Sequence, residues 1–100
     1  MHTYPLKLVT IIADEVIQKK LTADIKKLGA KGYTIGKAHG EGAKGERMSE
    51  WEGENIRLET LVSESVAEKI MAHLAKEYFP NYTIIAYLSD VTVLRGEKFT

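Results

Sequence analysis

The chemistry in this chain is most concentrated in Gly40-Glu41-Gly42-Ala43-Lys44-Gly45-Glu46-Arg47. Gly40 and Gly42 leave so little side-chain bulk that backbone amides can approach phosphate oxygens, while Lys44 and Arg47 supply compensating charge. A solvated connector of mixed charge is the alternative reading of the same residues. The Walker pattern is absent and no helix start follows the glycines, which excludes the P-loop type of anion site. Hydrogen bonds to charged groups contribute roughly 1.5–3 kcal/mol each, whereas micromolar affinity takes about 8 kcal/mol. Two basic side chains fall short of that, so a specific nucleotide also needs its base recognised. Thr34 with backbone groups of the second and third strands suits the base, and Tyr87 and Arg95 on the last strand are candidates to complete the cleft from another chain.

The remaining polar residues offer less. His2, His39 and His73 lack metal-ligand spacing, so no shared metal site is expected. His73 reads as a helix-surface residue, and His39, at the loop entrance, suits either orienting the loop or a sensing role. Arg57 and Glu59 suit either a polar binding surface or a cross-strand charge pair. Ser49, Ser63, Ser65 and Ser89 have no nucleophile elbow around them, and no catalytic constellation assembles, so the chain reads as a non-enzyme. Trp51, in a polar stretch, suits docking on a partner as well as folding back on its own subunit.

Around these residues stands a chain of 100 residues, a single domain (1–100) with 14 basic against 14 acidic side chains and no cysteine. Neutral charge disfavours a general nucleic-acid binder. An RNA-binding sheet is further disfavoured because Leu8, Ile11, Arg57 and Glu59 stand where stacking aromatics belong. Disulfides and thiolate sites are excluded, no apolar run reaches membrane-span length, and the N-terminus lacks a signal-peptide pattern, so a cytoplasmic location is expected. So short a chain closes only a small core, which makes self-association the expectation.

Leu6-Lys7-Leu8-Val9-Thr10-Ile11-Ile12 reads as a first strand. Asp14 caps a helix carrying Ile17, Leu21, Ile25 and Leu28 on one face, stopped at Gly29. Tyr33 to Ala38 is a second strand, with Gly36 as a bulge or point of close approach. From His39 to Glu54 the apolar pattern stops, leaving a long loop. Ile56 to Val62 alternates as a third strand. Ser65 and Glu68 have capping-box spacing ahead of a second helix, closed by Pro80. Tyr82 to Leu94 is a last strand, long enough for its end to project and pair with a neighbouring subunit. The order βαββαβ predicts an α+β, ferredoxin-like fold: a four-stranded antiparallel sheet with two helices on one face and the other face open to oligomerisation.

Lys7-Leu8-Val9, Gly29-Ala30-Lys31-Gly32-Tyr33-Thr34, Gly40-Glu41-Gly42, Asn55-Ile56-Arg57-Leu58-Glu59, Ala67-Glu68-Lys69-Ile70 and Val93-Leu94-Arg95-Gly96 together give nearly the whole chain a family likeness. It resembles the small PII-like signalling proteins, especially the SbtB-type regulators of bicarbonate transport and the carboxysome-associated members. The resemblance implies a homotrimer with adenine nucleotides in intersubunit clefts beneath the long T-loop (about 39–54). Carried over by position, Thr34, Glu59 and Leu61 line the base and ribose, Gly40 and Gly42 form the loop base, Lys44 and Arg47 meet the phosphates, and Tyr87 and Arg95 come from the neighbour. It implies ADP or AMP as ligand, with ATP, cyclic AMP and bicarbonate as further candidates. It also implies a T-loop partner among membrane transporters or carbon-fixation proteins, which would place the protein peripherally at the inner membrane. The basic, glycine-rich second loop of nitrogen regulators is replaced by Tyr78-Phe79-Pro80-Asn81-Tyr82, which argues against strong ATP and 2-oxoglutarate sensing. The uridylylated T-loop tyrosine and the paired-cysteine tail are missing, so those forms of control are not expected. A trimeric CutA-like metal-tolerance protein is the alternative that fits the fold but not the loop.

Overall fold

The computed structural model describes residues 2–40 and 54–100. Four strands, β1 (Tyr4–Asp14), β2 (Thr34–Ala38), β3 (Asn55–Val62) and β4 (Ile85–Val93), form one antiparallel sheet in the order β2-β3-β1-β4. Helices α1 (Gln18–Leu28) and α2 (Glu64–His73) follow β1 and β3, giving the ferredoxin-like arrangement. Register decides which side chains face the helices. Val9 lies opposite Thr60, and Ile11 opposite Leu58; these four join Leu21, Ile25, Ala67, Ile70 and Leu74 out of solvent. Filling this layer with β-branched and leucine side chains is the main source of protomer stability.

The strand boundaries follow from donors and turns. Pro5 is accommodated in β1 because it pairs with Thr92 of β4 in a stretch that β3, whose pairing begins at Lys7, does not reach. Tyr82 does not start the last strand, as the sequence pattern suggested. Its amide and that of Asn81 donate to the Tyr78 carbonyl at 2.8 and 3.0 Å, so the segment is consumed by a turn. Nor does β4 project: all nine residues pair with β1, from Val93 opposite Tyr4 to Ile85 opposite Ile12. Its unpaired side is its outer edge.

Asp14 caps as expected, accepting from the Val16 amide at 2.9 Å at the start of a 3-10 turn (Glu15–Ile17) that leads into α1. Gly29, at φ 123°, ends α1 with its amide on the carbonyls of Ile25 and Lys26. The second helix begins earlier than the Ser65–Glu68 spacing implied. Ser63 is its cap, accepting from Val66 N at 3.3 Å, because β3 ends at Val62 and the chain must turn at once. Its end widens into a π-helical turn over Leu74–Tyr78, with the Phe79 amide on the Leu74 carbonyl at 2.9 Å. Gly36 is neither a bulge nor a close approach: it pairs regularly with Arg57, and a Cβ there would meet nothing within 4 Å.

Candidate functional site

The alternation in β3 that sends Ile56, Leu58, Thr60 and Val62 toward the helices sends Arg57, Glu59 and Leu61 to the open face. Register extends that face across the sheet. Thr34 lies opposite Glu59, Glu59 opposite Thr10, and Thr10 opposite Tyr87, making one row over four strands. Leu61, Leu8 and Ser89 form the next row. Thr34, Glu59 and Leu61 are therefore gathered at the β2/β3 side, an exposed hydroxyl beside a half-buried carboxylate and a half-buried apolar side chain. Such a corner suits a flat heteroaromatic ring with hydrogen-bonding edges.

Tyr87 is three strands from Thr34, about 14 Å at ordinary strand spacing. A base lying on Thr34 is beyond its reach within one chain. Arg95 stands further off, past Val93 and hence beyond the start of β1. Gly40, exposed two residues after β2, is at most about 20 Å from Thr34 along an extended backbone. Gly42, Lys44, Arg47 and Trp51 lie outside the described residues.

The feet of the loop are tied together. Lys37 Nζ stands 3.0 Å from Glu54 Oε1, and this hydrogen bond and charge raise the lysine pKa. The Glu54 carbonyl accepts from the Glu15 amide at 2.9 Å, fixing the returning strand to the entrance of α1. Thr60, nearly fully buried, donates its hydroxyl to the Gly32 carbonyl at 2.6 Å and so anchors the chain entering β2 two residues before Thr34. Sequence reasoning used Thr60 only as part of an alternation. The signal was a threonine in an otherwise aliphatic row, where a buried hydroxyl needs a partner.

Arg57 and Glu59 do not form a cross-strand charge pair. Their opposite residues are Gly36 and Ile12 for the first and Thr34 and Thr10 for the second, all neutral. Glu59 therefore retains acceptor capacity on the open face. His73 is more than a helix-surface residue. Its Nε2 is 3.1 Å from Asp24 Oδ2, which also accepts from the Tyr78 hydroxyl at 2.6 Å, with Lys20 Nζ 4.5 Å from the centre of the Tyr78 ring. Burial pushes the Asp24 carboxyl pKa up, but the bonds from Tyr78 and His73 and the charge of Lys20 outweigh it, for a net lowering. Burial and the bond to Asp24 push the Tyr78 hydroxyl pKa up. This cluster satisfies itself and joins α1 to the π-helical turn. Among the described residues no three His, Asp or Glu side chains gather to hold a metal, and no helix is long and apolar enough to cross a membrane.

The family model described as nitrogen regulatory protein P-II matches residues 6–98. A crystal structure from Thermus thermophilus, described as a PII-like signaling protein, is 56% identical over 100% of both chains, with a TM-score of 0.88. CPII from Thiomonas intermedia K12, a nitrogen regulatory PII-like protein bound to ADP, AMP and bicarbonate, is 25% identical with a TM-score of 0.85. That match covers 98% of this chain and 96% of CPII. A second CPII structure, bound to ADP and bicarbonate, matches at 25% identity and a TM-score of 0.85 over 99% and 98% of the two chains.

Proposed function

Because the chain belongs to the nitrogen regulatory protein P-II family, we propose that it is a non-enzymatic cytoplasmic sensor binding adenine nucleotide, ADP or AMP before ATP or cyclic AMP, between subunits of a homotrimer. The observation that carries this reading is the division of the open face. The residues suited to the base, Thr34 and Glu59, are opposite one another at β2/β3, while Tyr87 is on the far edge strand of the same row. A cleft using all three takes its Tyr87 and Arg95 from a neighbouring copy. In it, Glu59 accepts from the base or ribose, Leu61 packs beneath, Gly40 and Gly42 admit the phosphates, and Lys44 and Arg47 neutralise them.

Bicarbonate is the second ligand of this reading, supported by the bicarbonate-bound CPII relative, and inorganic-carbon handling is the regulated process. The T-loop engages the target, a membrane transporter or a carbon-fixation protein, so that the sensor works peripherally at the inner membrane when the target is a transporter. Signalling is differential affinity: a nucleotide moves the loop equilibrium only by the difference in its affinity for the two loop states.

Calorimetric titration with AMP, ADP, ATP and cyclic AMP, each with and without bicarbonate and alongside a solution mass, tests this. One adenylate per subunit of a trimer, bound with bicarbonate-dependent affinity, is the expected result. A protein that binds no adenylate overturns the reading. Lys44→Ala and Arg47→Ala are expected to weaken ADP binding while the trimer persists; unchanged affinity in both removes them from the phosphate site.

A further inference from the structure

After Val93 the chain reverses through Leu94 and Arg95 into a 3-10 turn over Gly96–Phe99. Arg95 sits at φ 58°, ψ 41°, the one non-glycine residue of positive φ among those described. The left-handed region is disfavoured for a side chain of this kind, so the surrounding structure must impose it. Two contacts do so. The Lys98 amide donates to the Arg95 carbonyl at 3.1 Å. Gly96 is buried so closely on Tyr4 that a Cβ at that position would stand 2.1 Å from Tyr4 Cγ and 2.2 Å from its Cβ. Tyr4 is itself held by pairing with Val93, the last residue of β4. The reversal is thus clamped between the first residue of β1 and the glycine after the arginine. The side chain so presented is exposed and forms no ion pair with another described residue.

We infer that Tyr4 and Gly96 are positioning residues: by fixing the backbone of Arg95 they aim its guanidinium at the nucleotide phosphates held by an adjacent subunit. This rests on the nucleotide reading above and adds to it the part of the chain that orients the incoming cation. An unclamped arginine would relax toward the ordinary extended or right-handed backbone, carrying the guanidinium elsewhere. Phosphate recognition then requires the aromatic ring at position 4, not its hydroxyl, and the absence of a side chain at 96.

The test uses the full chain with two probes, ADP and adenosine, which lacks phosphate. Arg95→Ala is expected to weaken ADP roughly tenfold while leaving adenosine unchanged. Tyr4→Ala is expected to match it, Tyr4→Phe to restore wild-type affinity, and Tyr4→Ala with Arg95→Ala to be no weaker than Arg95→Ala alone. Equal ADP affinity in Tyr4→Ala and wild type, or additive losses in the double variant, overturns the inference. Gly96→Ala is expected to follow Tyr4→Ala. Independently of any ligand, NMR scalar coupling and Cα and Cβ shifts at Arg95 report its φ. A left-handed signature in wild type that is lost in Tyr4→Ala supports the clamp, and its persistence in Tyr4→Ala overturns it. If wild type binds neither probe, the nucleotide reading and the phosphate role fail together, while the NMR measurement still decides whether Tyr4 sets the conformation of Arg95.

Discussion

Val9, Ile11, Leu58 and Val62 on one face of the sheet are withdrawn from water by the chain's own helices, whereas Thr34, Ile85 and Tyr87 on the other face stay exposed in the protomer. Both faces arise from the same two-residue alternation, so their difference is one of partners. On the helix side Thr60 is consumed internally by the Gly32 carbonyl, and Tyr78 and His73 by Asp24. On the open side Glu59 has neutral opposites and no internal cation among the described residues. A face finished by its own chain carries stability, and a face left unfinished is available for recognition.

The sharpest test of that separation is Leu21→Ala. Leu21, on the inner side of α1, is fully buried, and truncating it is expected to cost about 2–5 kcal/mol in chemical denaturation. The surviving folded protein should bind ADP as wild type does; a matching loss of affinity would show the two faces to be coupled. Glu59→Gln reverses the pattern. It should leave the denaturation midpoint nearly in place and weaken ADP binding by about 1.5–3 kcal/mol in calorimetry.

Asp24→Asn is expected to lower stability by about 1–2 kcal/mol at neutral pH, read from thermal unfolding, without altering ADP affinity. Because the folded carboxyl is held below its ordinary 3.8, the stability it contributes is present above that pH and is lost as pH falls through the folded value. The variant and wild-type curves should therefore converge in acid. Lys37→Ala gives the smallest effect. Its pair with Glu54 is exposed and screened by solvent, so the denaturation midpoint should hardly move, and a clear change in ADP affinity would assign the pair to control of the loop.

How much of this was legible in the sequence depended on the range of the interaction. Asp14 announces the 3-10 turn that leads into α1, Gly29 announces the end of α1, and the alternation in β3 announces both faces. Ser63 was eclipsed by the more familiar spacing of Ser65 and Glu68, although the end of β3 settles the matter. Tyr82 has strand-like chemistry, but a turn claims its amide. Asp24 and His73 are 49 positions apart, and no local pattern connects them. Thr34 was singled out from the residues alone, but its grouping with Glu59 and Leu61 came through the family resemblance, whereas the loop set the metal-tolerance alternative apart. The conformation of Arg95 was invisible because glycine and asparagine, not arginine, are the residues that advertise a left-handed turn.

The row from Thr34 to Tyr87 spans the sheet from one edge strand to the other, so each protomer holds one half of two different proposed sites. Sites then count junctions rather than chains. A closed ring of three has three, whereas an open dimer has one. Diluting the protein below its assembly threshold should abolish nucleotide capacity outright instead of merely weakening it, and added nucleotide should in turn drive closure by mass action. The cell would thereby read subunit concentration and adenylate concentration through a single equilibrium.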